Sequence, residues 1–246
     1  MAKQRHLNNA PIIEAIIDLR VNLPPDFNAE DFSSISRDLS NRYPKNEPRR
    51  IFRGAFGIKE DKPFIEVPEV KGIQGYVYKS EDEKNIAQFR IDGFTFSRLN
   101  PYTEWESVFS EAKSLWEMYC SKSSPELISR IAVRYINRLD LPLTMKDFEE
   151  YLTAPPRVPE FLPQGISQFL TRIVIHEADI TANIIQSLGK SPKPNHIGVI
   201  LDIDVYKVGK PGFDESGVWS DFGRLREMKN RIFFESITEK TARLYE

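Results

Sequence analysis

Residues 11–23 constrain the fold more than any other stretch of this sequence. Their odd positions Ile13, Ala15, Ile17, Leu19, Val21 and Leu23 are all apolar, and the even ones include Glu14, Asp18, Arg20 and Asn22. A period of two sends alternate side chains to opposite faces of an extended chain, so the run predicts a strand with one core face and one charged face. Such a strand needs a sheet to join and an apolar layer to cover one side of it.

The elements that follow are read by the same rules. Pro24-Pro25 ends the strand, and Asn28 can cap a helix of about four turns whose Phe32, Ile35, Leu39 and Tyr43 recur at helical spacing before Pro44. Residues 50–58, 72–79 and 86–99 read as strands, with a hairpin tip at residues 80–84 and a bulge or tight bend at Asp92-Gly93. Thr103 and Glu106 have the spacing of a capping box, and the helix they open carries Trp105, Val108, Phe109, Ala112, Leu115, Trp116 and Tyr119 as a core stripe.

After Pro125 the order recurs: a strand over residues 127–139, a short helix over 145–152, strands over 165–176, 179–187 and 197–208, and a helix from about Gly217. Residues 154–159 and 190–194, rich in proline, read as surface loops. The fold class expected is therefore α+β: two β-α-β-β-β-α halves, residues 1–124 and 125–246, fused into a curved, mainly antiparallel sheet with the first strands central and the helices packed on one face. The halves share element order and no residue-level identity, so the repeat is an inference from pattern.

Composition narrows the function classes. Lys plus Arg number 34 against 36 Asp plus Glu, a net charge of -2, which gives no overall pull towards nucleic acid or an anionic membrane. Cys120 is the sole cysteine, which rules out an intrachain disulfide or a cysteine metal cluster and fits a reducing compartment. The polar stretch Met1 to His6 lacks a signal peptide's apolar core, and no apolar run reaches the roughly 18 residues of a membrane helix, so a cytoplasmic protein without membrane partners is expected.

Several phrases taken together carry a resemblance: Asn9-Ala10-Pro11-Ile12-Ile13-Glu14-Ala15; Phe94-Thr95-Phe96-Ser97-Arg98-Leu99 with Pro101-Tyr102 and Trp105; Arg134-Tyr135-Ile136-Asn137-Arg138; Leu201-Asp202-Ile203-Asp204; and Phe234-Glu235 with Ile237-Thr238-Glu239. Over nearly its whole length the chain resembles a sporadically distributed, uncharacterised bacterial protein family of about this size. That resemblance brings no activity, cofactor or catalytic residue with it. The patchy distribution is similar to that of genes carried with mobile elements or defence loci, which implies an accessory role in such a setting.

The candidate site residues lie on the polar strand faces: Glu14, Asp18 and Arg20 in the first strand, Arg134 and Arg138 in the first strand of the second half, and Arg90, Arg172, Asp202 and Asp204 on other strands. Opposite charges on adjoining strands can neutralise one another, and pairs of Glu14 or Asp18 with Arg134 or Arg138 would join the halves. Converging arginines can instead hold a phosphate or carboxylate, while Asp202 and Asp204, two apart and so on one face, can hold Mg²⁺. The Glu-x-Glu-x-Lys opening of the enzymes that process triphosphates inside a charged β-tunnel is absent.

The scattered His6, His176 and His196 offer no metal spacing, and there is no Gly-rich phosphate loop, Gly-x-Ser-x-Gly elbow or His-Glu-x-x-His helix. The last helix bears Trp219, Phe222, Leu225, Met228, Ile232 and Phe233 beside Arg224, Arg226, Lys229 and Arg231, a pattern that packs on its own sheet or serves a partner, and residues 238–246 read as a charged, frayed end. The leading expectation is a non-enzymatic interaction or regulatory module, with no cofactor, that binds a protein partner or itself through the open sheet face or the last helix. The alternative is a metal-dependent nucleotide- or phosphate-processing enzyme; nucleic-acid binding across the sheet is a third.

Overall fold

The alternation of residues 11–23 becomes β1 (Ile12–Asn22), whose Ala15, Ile17 and Leu19 are wholly buried. The computed structural model describes residues 1–53, 56–59, 62–65, 69–209 and 215–246, and side chains outside 51–71 and 210–216. The chain continues through α1 (Ser36–Leu39), β2 (Lys45–Arg53), β3 (Phe56–Lys59), β4 (Lys62–Ile65), β5 (Glu69–Lys79), β6 (Asn85–Arg90), β7 (Gly93–Leu99) and α2 (Trp105–Ser123). β8 (Leu127–Pro142), β9 (Leu170–Glu177), β10 (Ile180–Lys190), β11 (His196–Val208), α3 (Glu215–Ser236) and α4 (Glu239–Ala242) complete it.

The protein is α+β. Nine of the described strands form one sheet in the order β2-β5-β6-β7-β1-β8-β11-β10-β9, every neighbouring pair antiparallel, while β3 and β4 form a separate hairpin. β1 and β8 are neighbours at its centre, as expected of the two first strands. Their odd residues, such as Ile17 and Leu19 on one and Val133, Tyr135 and Leu139 on the other, bury themselves under the helices. Trp116 and Tyr119 of α2 meet Phe94 of β7, Lys229 of α3 lies over the ring of Tyr135 in β8, and Phe109 joins the helices through Trp219 and Phe222. Both long helices therefore cover one face, and the even residues of β1 and β8 face away from them.

Six expectations are corrected. Residues 29–39 form a 3-10 segment (Ala29–Ile35) followed by the single turn of α1, not a four-turn helix, although Asn28 does cap it through Glu30 N at 3.0 Å. Ser34 and Ser40 turn their hydroxyls onto carbonyls three residues back, at 2.7 and 2.8 Å, competing with the helical ladder. Residues 86–99 are not one strand but the hairpin β6–β7, turning before Gly93, whose φ is 146° and where a Cβ would stand 2.1 Å from the Leu19 carbonyl oxygen.

The capping box does not form: the helix starts one residue later than it requires, Glu104 is the N-cap, and Thr103 falls outside. Over residues 145–152 only a 3-10 turn (Phe148–Glu150) forms, capped by Asp147, because Asp147, Glu149 and Glu150 bond locally. The end of the chain does not fray: Ile237, Thr241 and Ala242 are fully buried, the Tyr245 hydroxyl accepts the Asp140 amide at 2.9 Å, and Arg5 bridges Glu239 and Glu246. The expected strand over 50–58 is divided between β2 and β3, and its side chains from residue 51 onward lie outside the described ones. No helix among the described residues is long and apolar enough to cross a membrane.

Candidate functional site

The face turned away from the helices carries a groove of about 530 Å³ across the centre of the sheet. Glu14, Asp18, Arg20, Arg90, Arg134 and Asp204 of the predicted residues line it, together with Arg49, Gln88, Thr95, Ser97 and Arg130. The strand period places all of them: Asp18 of β1 sits opposite Thr95 of β7 and Ala132 of β8, and Asp204 of β11 opposite Arg134 of β8.

The charges neutralise one another in a ladder that spans five strands, β6 to β11 in sheet order. Asp18, 8% exposed, is the hub: its Oδ1 accepts from Thr95 Oγ1 at 2.6 Å and Arg90 at 3.3 Å, and its Oδ2 from Arg20 at 3.1 Å and Arg130 at 3.2 Å. Arg130 then reaches Asp204 with contacts of 2.8 and 3.0 Å and lies 4.4 Å from the centre of the Tyr206 ring. Arg134 holds Asp202 in a fork at 2.8 and 2.6 Å, and Asp92 of the β6–β7 turn takes both Arg90 and Arg20.

The titration behaviour follows from these contacts. Burial pushes the Asp204 carboxyl up against the opposing pull of Arg130, whereas at Asp92 the arginines outweigh burial and hold the carboxyl below its usual range. Burial and the neighbouring Arg90 lower the Arg49 guanidinium. Hydrogen bonds to Asp202 raise Arg134.

The particular pairs expected from sequence are corrected by register. Glu14 faces Ile136 and Ile16 faces Arg134, so the ion pair across the β1–β8 seam is Asp18 with Arg130; Arg134 turns to Asp202, and Arg138 to Asp140 at 3.2 Å. Arg138 and Arg172 stand apart from the groove, Arg172 donating to Asn183 at 2.7 Å near the sheet edge. Asp202 and Asp204 share a face as expected, but each is engaged by an arginine, and the described residues contain no group of three metal-ligating side chains. Five arginines line the groove, and Asp18, Asp204, Asp92, Asp202 and Glu14 match them in number. Arg20, Arg90, Arg130 and Arg134 are each held by a carboxylate, whereas Arg49 and Glu14 line the groove without an ion pair among the described residues.

Sequence reasoning missed Arg49, because β2 begins before the residues read as strand, and it missed the depth of Lys229. Lys229 lies four residues after Leu225 and three before Ile232, inside the apolar stripe of α3, and is only 7% exposed. No protein-family model matches the chain, and no curated protein matches it.

Proposed function

We propose that the protein is a non-enzymatic interaction module that associates with a second copy of itself by adding strand to strand at β9. The observation that carries this reading is the exposure of Leu170, Ile173, Val174 and Ile175, at 70, 54, 45 and 38%, on a strand that among the described residues has a neighbour on one side only. Unpaired backbone groups beside exposed aliphatic side chains form a template for another strand. The opposite edge, β2, is blunted by Lys45, Glu47, Pro48, Arg49 and Arg50, as edges that must stay single usually are.

A second copy suits β9 because the strand is complementary to itself. Arg172 and His176 bond Asn183 and Thr181 on one face, and Glu177 reaches Arg231 of α3 on the other. Antiparallel partners share a face, so a twofold axis through Val174 sets Ile173 against Ile175 under the helix layer and Val174 against its own copy on the open side. Among its described side chains α3 offers no such surface: Phe222, Leu225, Met228, Ile232 and Phe233 are buried. The metal-dependent phosphate-processing reading is less well supported, because Asp202 and Asp204, its metal ligands, are each engaged by an arginine, as are Arg90, Arg130 and Arg134 by carboxylates.

We also infer that residues 1–124 and 125–246 are versions of one unit. The support is topological: outward from the β1–β8 seam the strands run β1-β7-β6-β5 on one side and β8-β11-β10-β9 on the other, and a long helix closes each part. On this reading β9 occupies the place of β5, which β2 caps, and among the described residues the second unit has no capping strand.

Sedimentation of the full chain tests the association. The expected result is a mass of two chains at micromolar concentration, and one chain for Val174→Lys with unchanged circular dichroism. A single-chain mass up to about 100 µM, in the range of weak encounters, or a Val174→Lys variant that still pairs, would overturn the proposal.

A further inference from the structure

On the helix side, away from the groove, residues 4–12, the start of α2 and the middle of α3 enclose a cleft of about 530 Å³. Its size is that of a small-molecule site. Lys229 lines it while being 7% exposed, and among the described residues it has neither an ion pair nor a hydrogen bond. Its ammonium has one contact of note, 3.7 Å above the centre of the Tyr135 ring. A cation over an aromatic face recovers less than removing an ammonium from water costs.

The other arginines around the cleft are spoken for. Arg5 holds Glu239 and Glu246, and Arg226, stacked 5.3 Å from Trp105, has Glu106 at 3.6 Å. The Tyr135 hydroxyl is bonded to that of Tyr102 at 3.0 Å. One positive charge is thus left without an anion, at the wall of a space whose remaining lining includes Leu7, Trp105, Phe233 and the amide of Asn230.

We propose that this cleft binds a small organic monocarboxylate, its carboxylate taking the Lys229 ammonium and its apolar body resting against Trp105 and Phe233. A single negative charge matches the single uncompensated cation, and Glu104 and Glu106 on the same lining disfavour a phosphate dianion. Burial, reinforced by Arg226, lowers the Lys229 pKa to about 7, so ligand binding near neutral pH takes up a proton at this amine. The inference does not depend on association through β9.

Thermal unfolding of the full chain with benzoate, its neutral isostere benzamide, and inorganic phosphate tests the site. The expected result is a saturable rise in melting temperature with benzoate alone, and at least tenfold weaker binding to Lys229→Met, which keeps the buried volume without the charge. In the wild-type chain labelled with ¹³C-lysine, benzoate should move the Lys229 titration midpoint upward, a readout that does not require the variant to fold. Equal shifts with benzoate and benzamide, phosphate binding more tightly than benzoate, or an unmoved midpoint would each overturn the proposal.

Discussion

Asp18 accepts from three arginines and a threonine, and Arg90, one of those donors, is 3% exposed. Removing the hub takes from the interior Arg90 one of its two carboxylates and from Thr95 its acceptor, leaving Arg90 and Arg20 to share Asp92 and Arg130 to hold Asp204 alone; breaking a buried pair typically costs about 3–5 kcal/mol. Asp18→Ala should therefore lower urea stability by about 3 kcal/mol, and Arg157→Ala, from the exposed pair with Glu149, by less than about 1 kcal/mol. Lys229 works in the opposite direction. Its ammonium gives up its proton near pH 7 when folded and near 10.5 when unfolded, so the unfolded chain holds the extra proton between those values and stability rises with pH across that window. The burial penalty is complete below pH 7; Lys229→Met should stabilise at pH 6 by a few kcal/mol, on the order of the shift converted to free energy, and by much less at pH 10. Urea midpoints at the two pH values check this. The strand period named Asp18, Arg134, Asp202 and Asp204 as polar positions, but their partners were not legible, because bulges at Ile12/Glu14 and Arg20/Val21 set the register.

At the scale of elements, the β6–β7 turn shows what local chemistry decides. Gly93 lies at a positive φ and passes against β1 so closely that a Cβ would stand 2.1 Å from the Leu19 oxygen, in backbone that cannot yield as a flexible side chain does. Gly93→Ala should destabilise by more than about 2 kcal/mol, combining strain at that dihedral with displacement of the central strand, and the measure is again the urea midpoint. Asp92-Gly93 was visible in the sequence as a bend, yet the tip of a hairpin and a kink within one strand differ only by which residues pair across it. The segment after Asn28 shows the same limit. Its buried Phe32, Ile35, Leu39 and Tyr43 followed helical spacing, while the serines between them drew the backbone into tighter turns that apolar periodicity does not report. The docked end of the chain was illegible because Tyr245 and Thr241 find their partners, Asp140 and Tyr151, about a hundred residues away in sequence.

At the scale of the whole molecule, strand order sorts the surfaces by task. The seam between β1 and β8 is locked by packing above and by the charge ladder below, so the centre of the sheet is its rigid part. The edges differ, one blunted by proline and charge and the other aliphatic and single, and that asymmetry is the basis for reading the protein as a module that pairs through β9. Edge position is not written in any local pattern: residues 170–177 look like an ordinary strand until the order of all nine is known. Amide hydrogen exchange, followed as protein concentration is raised, tests this claim most directly. Protection of the outward amides of β9 should grow with concentration while those of β2 stay unchanged; β9 amides that exchange at the same rate at every concentration would contradict it.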